Sequence, residues 1–220
     1  MTGSRHLLLA AFLLACPGLQ GTPQTATYSA RVLTEDGQGV VDAVLSLTPL
    51  DSSAPPARPA AEPVRIVQAG MEYRPPVTAI QVGTEIEFPN KDDVQHHLYS
   101  VSRPKRFEKP LYAPGSHEVV MFDQPGVVLL GCNIHDWMSA YVVIVETPYF
   151  ALSDGAGTVT VAGLPAGRYQ LEVWHARLPR PIRQEVSVGE VAAAPSEIRL
   201  NLRPERRPRR APTPERPGYE

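Results

Sequence analysis

Residues 122–145 read FDQPGVVLLGCNIHDWMSAYVVIV. Two apolar runs, VVLLG and AYVVIV, flank a stretch that carries a thiol, an imidazole and a thioether: Cys132, His135 and Met138. Short apolar, β-branched runs bounded by turn residues such as Pro125-Gly126 predict buried strands. All three side chains therefore sit on one short loop between strands. A thiolate beside imidazoles suits a borderline-soft transition metal. The loop holds one histidine, and a second has to come from elsewhere in the chain.

The remaining histidines are His6, His96, His97, His117 and His175. His6 lies in the N-terminal leader. His117 follows a Gly-Ser turn and reads as a surface residue, and His175 follows Trp174 in LEVWH and reads as structural. His96 and His97 open a strand just after the one that ends in Phe88. Strand alternation places His96 with Leu98 on one face, and His97 with Tyr99 and Val101 on the other. Both faces hold apolar residues, so alternation leaves both histidines in play. Two His and one Cys in a plane with a long axial Met are the donor set of a blue-copper site. Structural zinc would call for more thiolates, typically in Cys-x-x-Cys pairs. A Cys/His nucleophile pair would leave Met138 without a role.

The leader narrows the redox setting. Arg5 and His6 precede the apolar run Leu7–Ala15, which Cys16, Pro17 and Gly18 break. That run is too short to span a bilayer and fits a secretory signal peptide, residues 1–21, cleaved on the way to the periplasm or the medium. Leu13-Leu14-Ala15-Cys16 also resembles a bacterial lipobox, in which Cys16 would carry a lipid anchor. In both cases Cys132 is left as the one free thiol, in a compartment where thiols pair. An odd cysteine there implies pairing with another chain, a reactive thiol or a metal ligand.

Pro makes up 24 of 220 residues, about twice the average share, and no stretch keeps a helical period. Short strands between Gly and Pro turns predict an all-β chain. Residues 27–49 read as a hairpin of strands Tyr28–Thr34 and Ala43–Leu47. Residues 50–63, rich in Pro, Ala and Ser, read as a linker. Strands then follow through to residue 147, interrupted by the basic, irregular stretch RPKRFEKPLYAPGS. In it Arg103, Lys105, Arg106 and Lys109 form a solvated cluster that could steer an acidic partner. Residues 203–220 carry six Arg against three acids and lack apolar periodicity, which predicts a disordered tail. Residues 22–202 carry 14 Lys and Arg against 20 Asp and Glu, so the body is acidic and argues against nucleic acid as a partner.

FPNKDDVQHH and FDQPGVVLLGCNIHDWMSAYVVIV together resemble the two signature regions of cupredoxins of the plastocyanin and amicyanin type. In that family an Asn lies six residues before the first His ligand, as Asn90 does before His96. A Phe-x-x-Pro-Gly strand then leads to Cys-x-x-His and Met, matched here by Phe122, Pro125, Gly126, Cys132, His135 and Met138. The short His-to-Met spacing is amicyanin-like. The resemblance covers residues 64–147 and implies one type 1 copper ion, held by His96, Cys132 and His135 with Met138 as weak axial ligand. It also implies single-electron transfer between redox proteins, docking near His135 and Trp137. The family usually places Asn directly after the first His ligand, where it ties the two ligand loops together. His97 stands there in this chain.

VLTEDGQGVVDAVLSLTP and SDGAGTVTVAGLPAGRYQLEV resemble strands of the carboxypeptidase-regulatory-like, transthyretin-type (prealbumin-like) β-sandwich. That likeness implies a discontinuous unit, residues 27–49 with 148–202, into which a cupredoxin Greek-key β-sandwich is inserted. In the simpler arrangement residues 27–49 supply the first cupredoxin strands. The expectation is a secreted or periplasmic copper electron carrier and not a stand-alone enzyme. A copper-buffering or delivery protein is one alternative. A cell-surface binding module with a vestigial copper site is another.

Overall fold

The computed structural model describes residues 25–51, 63–189 and 194–204. The leader with Cys16, most of the linker and all but the first two residues of the tail lie outside the described residues. Among the described residues every regular element is a strand, as the turn-punctuated sequence predicts, and no helix is long and apolar enough to cross a membrane. The chain opens with β1 (Thr25–Thr34) and β2 (Val44–Pro49). The middle contributes β3 (Val64–Arg65), β4 (Val67–Gln68), β5 (Tyr73–Arg74), β6 (Val77–Gln81), β7 (Thr84–Pro89) and β8 (His96–Ser102). It continues with β9 (Lys105–Tyr112), β10 (His117–Phe122), β11 (Gly126–Gly131) and β12 (Ser139–Val145). The last strands are β13 (Phe150–Leu152), β14 (Thr158–Pro165), β15 (Gly167–Trp174), β16 (Ile182–Val188) and β17 (Ser196–Leu200).

Two apolar cores organise these strands. In the middle of the chain, sheet β6-β12-β11-β8-β9 faces sheet β10-β7-β3. Ile86, Phe88, Leu98, Phe122, Val128, Leu130 and Val142 are fully buried between them. The connections β7–β8, β9–β10 and β10–β11 each carry the chain from one sheet to the other, the crossing habit of Greek-key sandwiches. The second core lies between β14-β1-β17 and β13-β2-β15-β16 and buries Val32, Leu45, Leu47, Leu164, Leu171 and Val173. Alternation along β1 and β14 puts one face of each into that core, as period-2 patterning requires.

Two expectations are corrected. The stretches 28–34 and 43–47 form no hairpin. β1 pairs with β14 and β17, whereas β2 pairs with β13 and β15 in the facing sheet. Only a Leu33–Gly39 bridge folds back on β1 before the chain crosses over. The turn residues therefore serve a sheet-to-sheet crossover. The basic stretch is also not irregular, because Lys105–Tyr112 is β9, paired antiparallel to β8. It is an edge strand, where charges and proline are tolerated because one side needs no partner. Lys105 pairs with Asp123 at 3.0 Å and Lys109 with Glu118 at 2.9 Å, so half of the basic cluster is neutralised locally.

Candidate metal centre

β8 starts at the donor His96, and β11 and β12 bracket the loop that carries the other donors. A bulge sets the start of β8: His96 faces Tyr112 and Leu98 faces Lys109, so Pro110 and Leu111 together oppose His97. An extra residue on one strand interrupts the alternation and re-aims side chains. His96, His97 and Leu98 are all buried, which alternation alone could not anticipate. Upstream, the fully buried Asn90 folds the loop that leads into β8. Its side-chain N–H groups donate to the Val94 carbonyl at 2.8 Å and the Tyr112 carbonyl at 3.3 Å, and its Oδ1 accepts from Asp92 N–H at 3.0 Å. The loop 132–138 is closed on itself, with Cys132 N–H donating to the Met138 carbonyl and Met138 N–H to that of His135.

This framework brings donor atoms of His96, Cys132 and His135 within 4.8 Å of one another. The Cys132 Sγ lies 3.6 Å from His135 Nδ1, and the two imidazoles meet edge to face at 5.0 Å between centroids. Met138 is buried in the same core as Cys132. His117 is exposed on β10, and His175 lies beside Trp174 in the other sandwich; neither joins the cluster. His97 does not join it either. Its Nε2 pairs with Glu108 of β9 at 3.0 Å.

His96 is fully buried, and its Nε2 lies 2.7 Å from Asp92 Oδ2. Burial pushes the Asp92 carboxyl up, but hydrogen bonds from Met71 N–H, His96 and Gly70 N–H outweigh it and hold the group below its ordinary range. An ionised carboxylate only accepts, so Nε2 carries a proton, and in the neutral ring Nδ1 keeps its lone pair. That Nδ1 is buried and has no hydrogen-bond partner. A buried polar atom without a partner is costly, and a metal ion among the three donors would satisfy it. The donor set therefore fits a soft transition ion. Burial first, then the neighbouring His96 ring, holds His135 below its usual pKa, with Asp92 opposing. Both effects favour the neutral imidazole that binds metal.

Three residues around the cluster escaped the sequence reading. Asp92 offered the faint signal of a carboxylate four positions before a candidate ligand. Tyr73 and Met71 offered none. The Tyr73 hydroxyl lies 3.2 Å from the His97 carbonyl and 3.1 Å from that of Gly131, joining the two donor-bearing segments. Burial, with Cys132 adding to it, pushes its phenol well above the usual range, so it stays a donor. Trp137 packs against the core half-buried and donates its indole N–H to the Met71 carbonyl at 2.9 Å, its ring 5.4 Å from that of His135.

No family model matches the chain, and no curated protein matches it. The solved structures to which it is similar are cupredoxins. One is a copper-containing nitrite reductase from Thermus scotoductus, 25% identical, with 46% of this chain and 25% of that chain covered and a TM-score of 0.37. Another is a Cu(I) form of amicyanin, 19% identical, with 46% and 98% covered and a TM-score of 0.37. A purple cupredoxin from Nitrosopumilus maritimus is 24% identical, with 37% and 99% covered and a TM-score of 0.34. The chain thus spans a quarter of the nitrite reductase and less than half of itself in each likeness.

Proposed function

We propose that this chain binds one copper ion in a type 1 site and carries single electrons between redox partners outside the cytoplasm. The observation that carries the proposal is the convergence of donor atoms of His96, Cys132 and His135, together with a buried His96 Nδ1 that has no hydrogen-bond partner. In this reading His96, Cys132 and His135 would hold the copper ion, with Met138 as a fourth, weaker donor. The ion supplies a Cu(II)/Cu(I) couple. The protein's part is to keep the donors in one arrangement for both oxidation states and to exclude water from the thiolate. The closed 132–138 loop and the packed core support that role.

Partners would dock where His135 reaches the surface. Its neighbour in sequence, Ile134, is 52% exposed, and Val94, two residues before His96, is 40% exposed. Exposed apolar residues on the two segments that carry His96 and His135, with Trp137 beside the His135 ring, would give a second redox protein a docking face. The leader supports a periplasmic or secreted location, with lipidation at Cys16 as a possible anchor there. The strands of residues 27–49 and 148–202 enclose a core of their own, which supports a separate carboxypeptidase-regulatory-like unit with a binding or spacing role.

The deciding experiment is the visible spectrum of the mature protein after stoichiometric Cu(II), beside Cys132→Ser. An intense thiolate-to-copper band, lost in the variant, is expected. A colourless wild-type protein would sink the electron-transfer reading and promote copper buffering or a purely structural role.

A further inference from the structure

The hairpin β4–β5 contributes nothing to the His96, Cys132 and His135 cluster, yet it touches both segments that carry it. Its turn closes with Ala69 N–H donating to the Glu72 carbonyl at 3.0 Å. Gly70 and Met71 both adopt left-handed backbone, with φ of 66° and 55°. A non-glycine residue such as Met71 in that region is uncommon and has to be held there by its surroundings. Here two side chains grip the turn. The Asp92 carboxylate accepts from Gly70 N–H with Oδ1 and from Met71 N–H with Oδ2, the latter at 3.0 Å. Trp137, from the Cys132 loop, donates to the Met71 carbonyl. The same Asp92 Oδ2 faces His96 Nε2 at 2.7 Å, and the Asp92 side chain is only 11% exposed.

We infer that Asp92 is a positioning residue for the metal. Anchored by the Gly70 and Met71 amides, its carboxylate fixes His96 with the proton on Nε2 and the lone pair on Nδ1. Its charge then favours the more positive, oxidised ion. The inference rests on the copper reading for its second half only. A carboxylate bonded to the far N–H of a ligating imidazole orients the ring and raises its donor strength. Little water reaches this charge to screen it, so its field at the donors persists. A neutral acceptor at this position would fix the tautomer equally well. The charge is what adds preference between oxidation states.

Two substitutions separate these effects. Asp92→Asn keeps an oxygen for Met71 and His96 but loses the charge and the acceptor for Gly70 N–H, and Asp92→Ala loses all of these. In the metal-free protein, 15N NMR of His96 is expected to show one Nε2–H tautomer in the wild type and a mixture in Asp92→Ala. In the copper-loaded protein both variants are expected to lose about ten- to hundredfold in Cu(II) affinity. The oxidised-to-reduced equilibrium should shift about tenfold toward Cu(I), equal to about 59 mV for one electron. An unchanged tautomer in Asp92→Ala, or a midpoint shift below about twofold in Asp92→Asn, overturns the inference. Asp92→Asn is nearly isosteric and carries the potential measurement if Asp92→Ala fails to fold. If wild-type protein takes up no Cu(II), the copper reading fails by itself. The metal-free NMR comparison then still decides whether Asp92 positions His96.

Discussion

The hydroxyl of Tyr73 has one proton and two carbonyls within reach, those of His97 and Gly131. It clasps the segments that carry His96 and Cys132 without contributing a donor. Tyr73→Phe keeps the ring in its buried slot and deletes the clasp. The expected cost is about 1 kcal/mol of stability in a denaturant titration, with faster loss of bound copper to a chelator. Asp42 poses a different question. It has left-handed backbone, φ 61°, and burial raises its carboxyl pKa. A raised carboxyl means the ionised form is penalised in the folded protein. The penalty is fully present above the folded-state pKa and is relieved as pH falls through it. Asn tolerates the same backbone and carries no charge. Asp42→Asn should therefore stabilise the protein at pH 7, by no more than about 0.5 kcal/mol, read as a higher thermal midpoint, and lose that advantage in acid. At this scale part of the cluster was legible in the sequence, because Cys132 and His135 are local and their spacing is itself the signal. Their supports were not. Tyr73, Asp92 and Met71 act through contacts that exist only after the strands have packed. His97 shows the limit: its ring turns to Glu108, and the tie between loops that the family resemblance led one to seek at this position runs through its backbone carbonyl instead.

Strand existence was readable, but strand partnership was not. β10, β11 and β12 announce themselves as apolar runs between turns. β9 did not, because an edge strand with Lys, Arg and Pro looks like a loop until its neighbour is known. The Pro110–Leu111 bulge in the same strand lies opposite His97, beside the first donor residue. β1 and β2 look like hairpin arms, yet each finds its partners among strands more than a hundred residues later. The turn at 154–157 helps to enforce that choice. Gly157 sits at φ +78°, its carbonyl accepts from Val32 N–H at 2.7 Å, and a Cβ built on it would overlap the Val32 carbonyl oxygen. Gly157→Ala should destabilise the β1–β14 side of the molecule by on the order of 3 kcal/mol, read by thermal melting. In the protein that remains folded, the Cu(II) absorption should be unchanged, because no donor touches this turn.

The two cores meet through β12. Its Ala140, Val142 and Ile144 point into the donor-bearing sandwich. On its other face, Val143 packs in a seam with Val44, Val77 and Trp174, and Tyr141 meets the Trp174 ring at 5.3 Å. Trp174→Ala empties the centre of that seam, at about 3–5 kcal/mol. The expected result is two separate unfolding transitions where the wild type shows one, with the copper band lost in only one of them. A single transition in the variant would show that the cores are coupled by something other than the seam. Where the chain leaves the outer sandwich and where it returns, the two passages are bonded side by side. Leu47 N–H donates to the Tyr149 carbonyl at 2.9 Å, and the Thr147 hydroxyl to the Leu47 carbonyl at 2.7 Å. β1 and β2 are meanwhile paired to strands from the far end of the chain. Covalent continuity between residues 51 and 63 is thus dispensable for cohesion. A protease that cleaves within 52–62 should yield two bands under denaturing conditions and one particle in solution, and the same segment can serve as the site of new termini in a permuted chain.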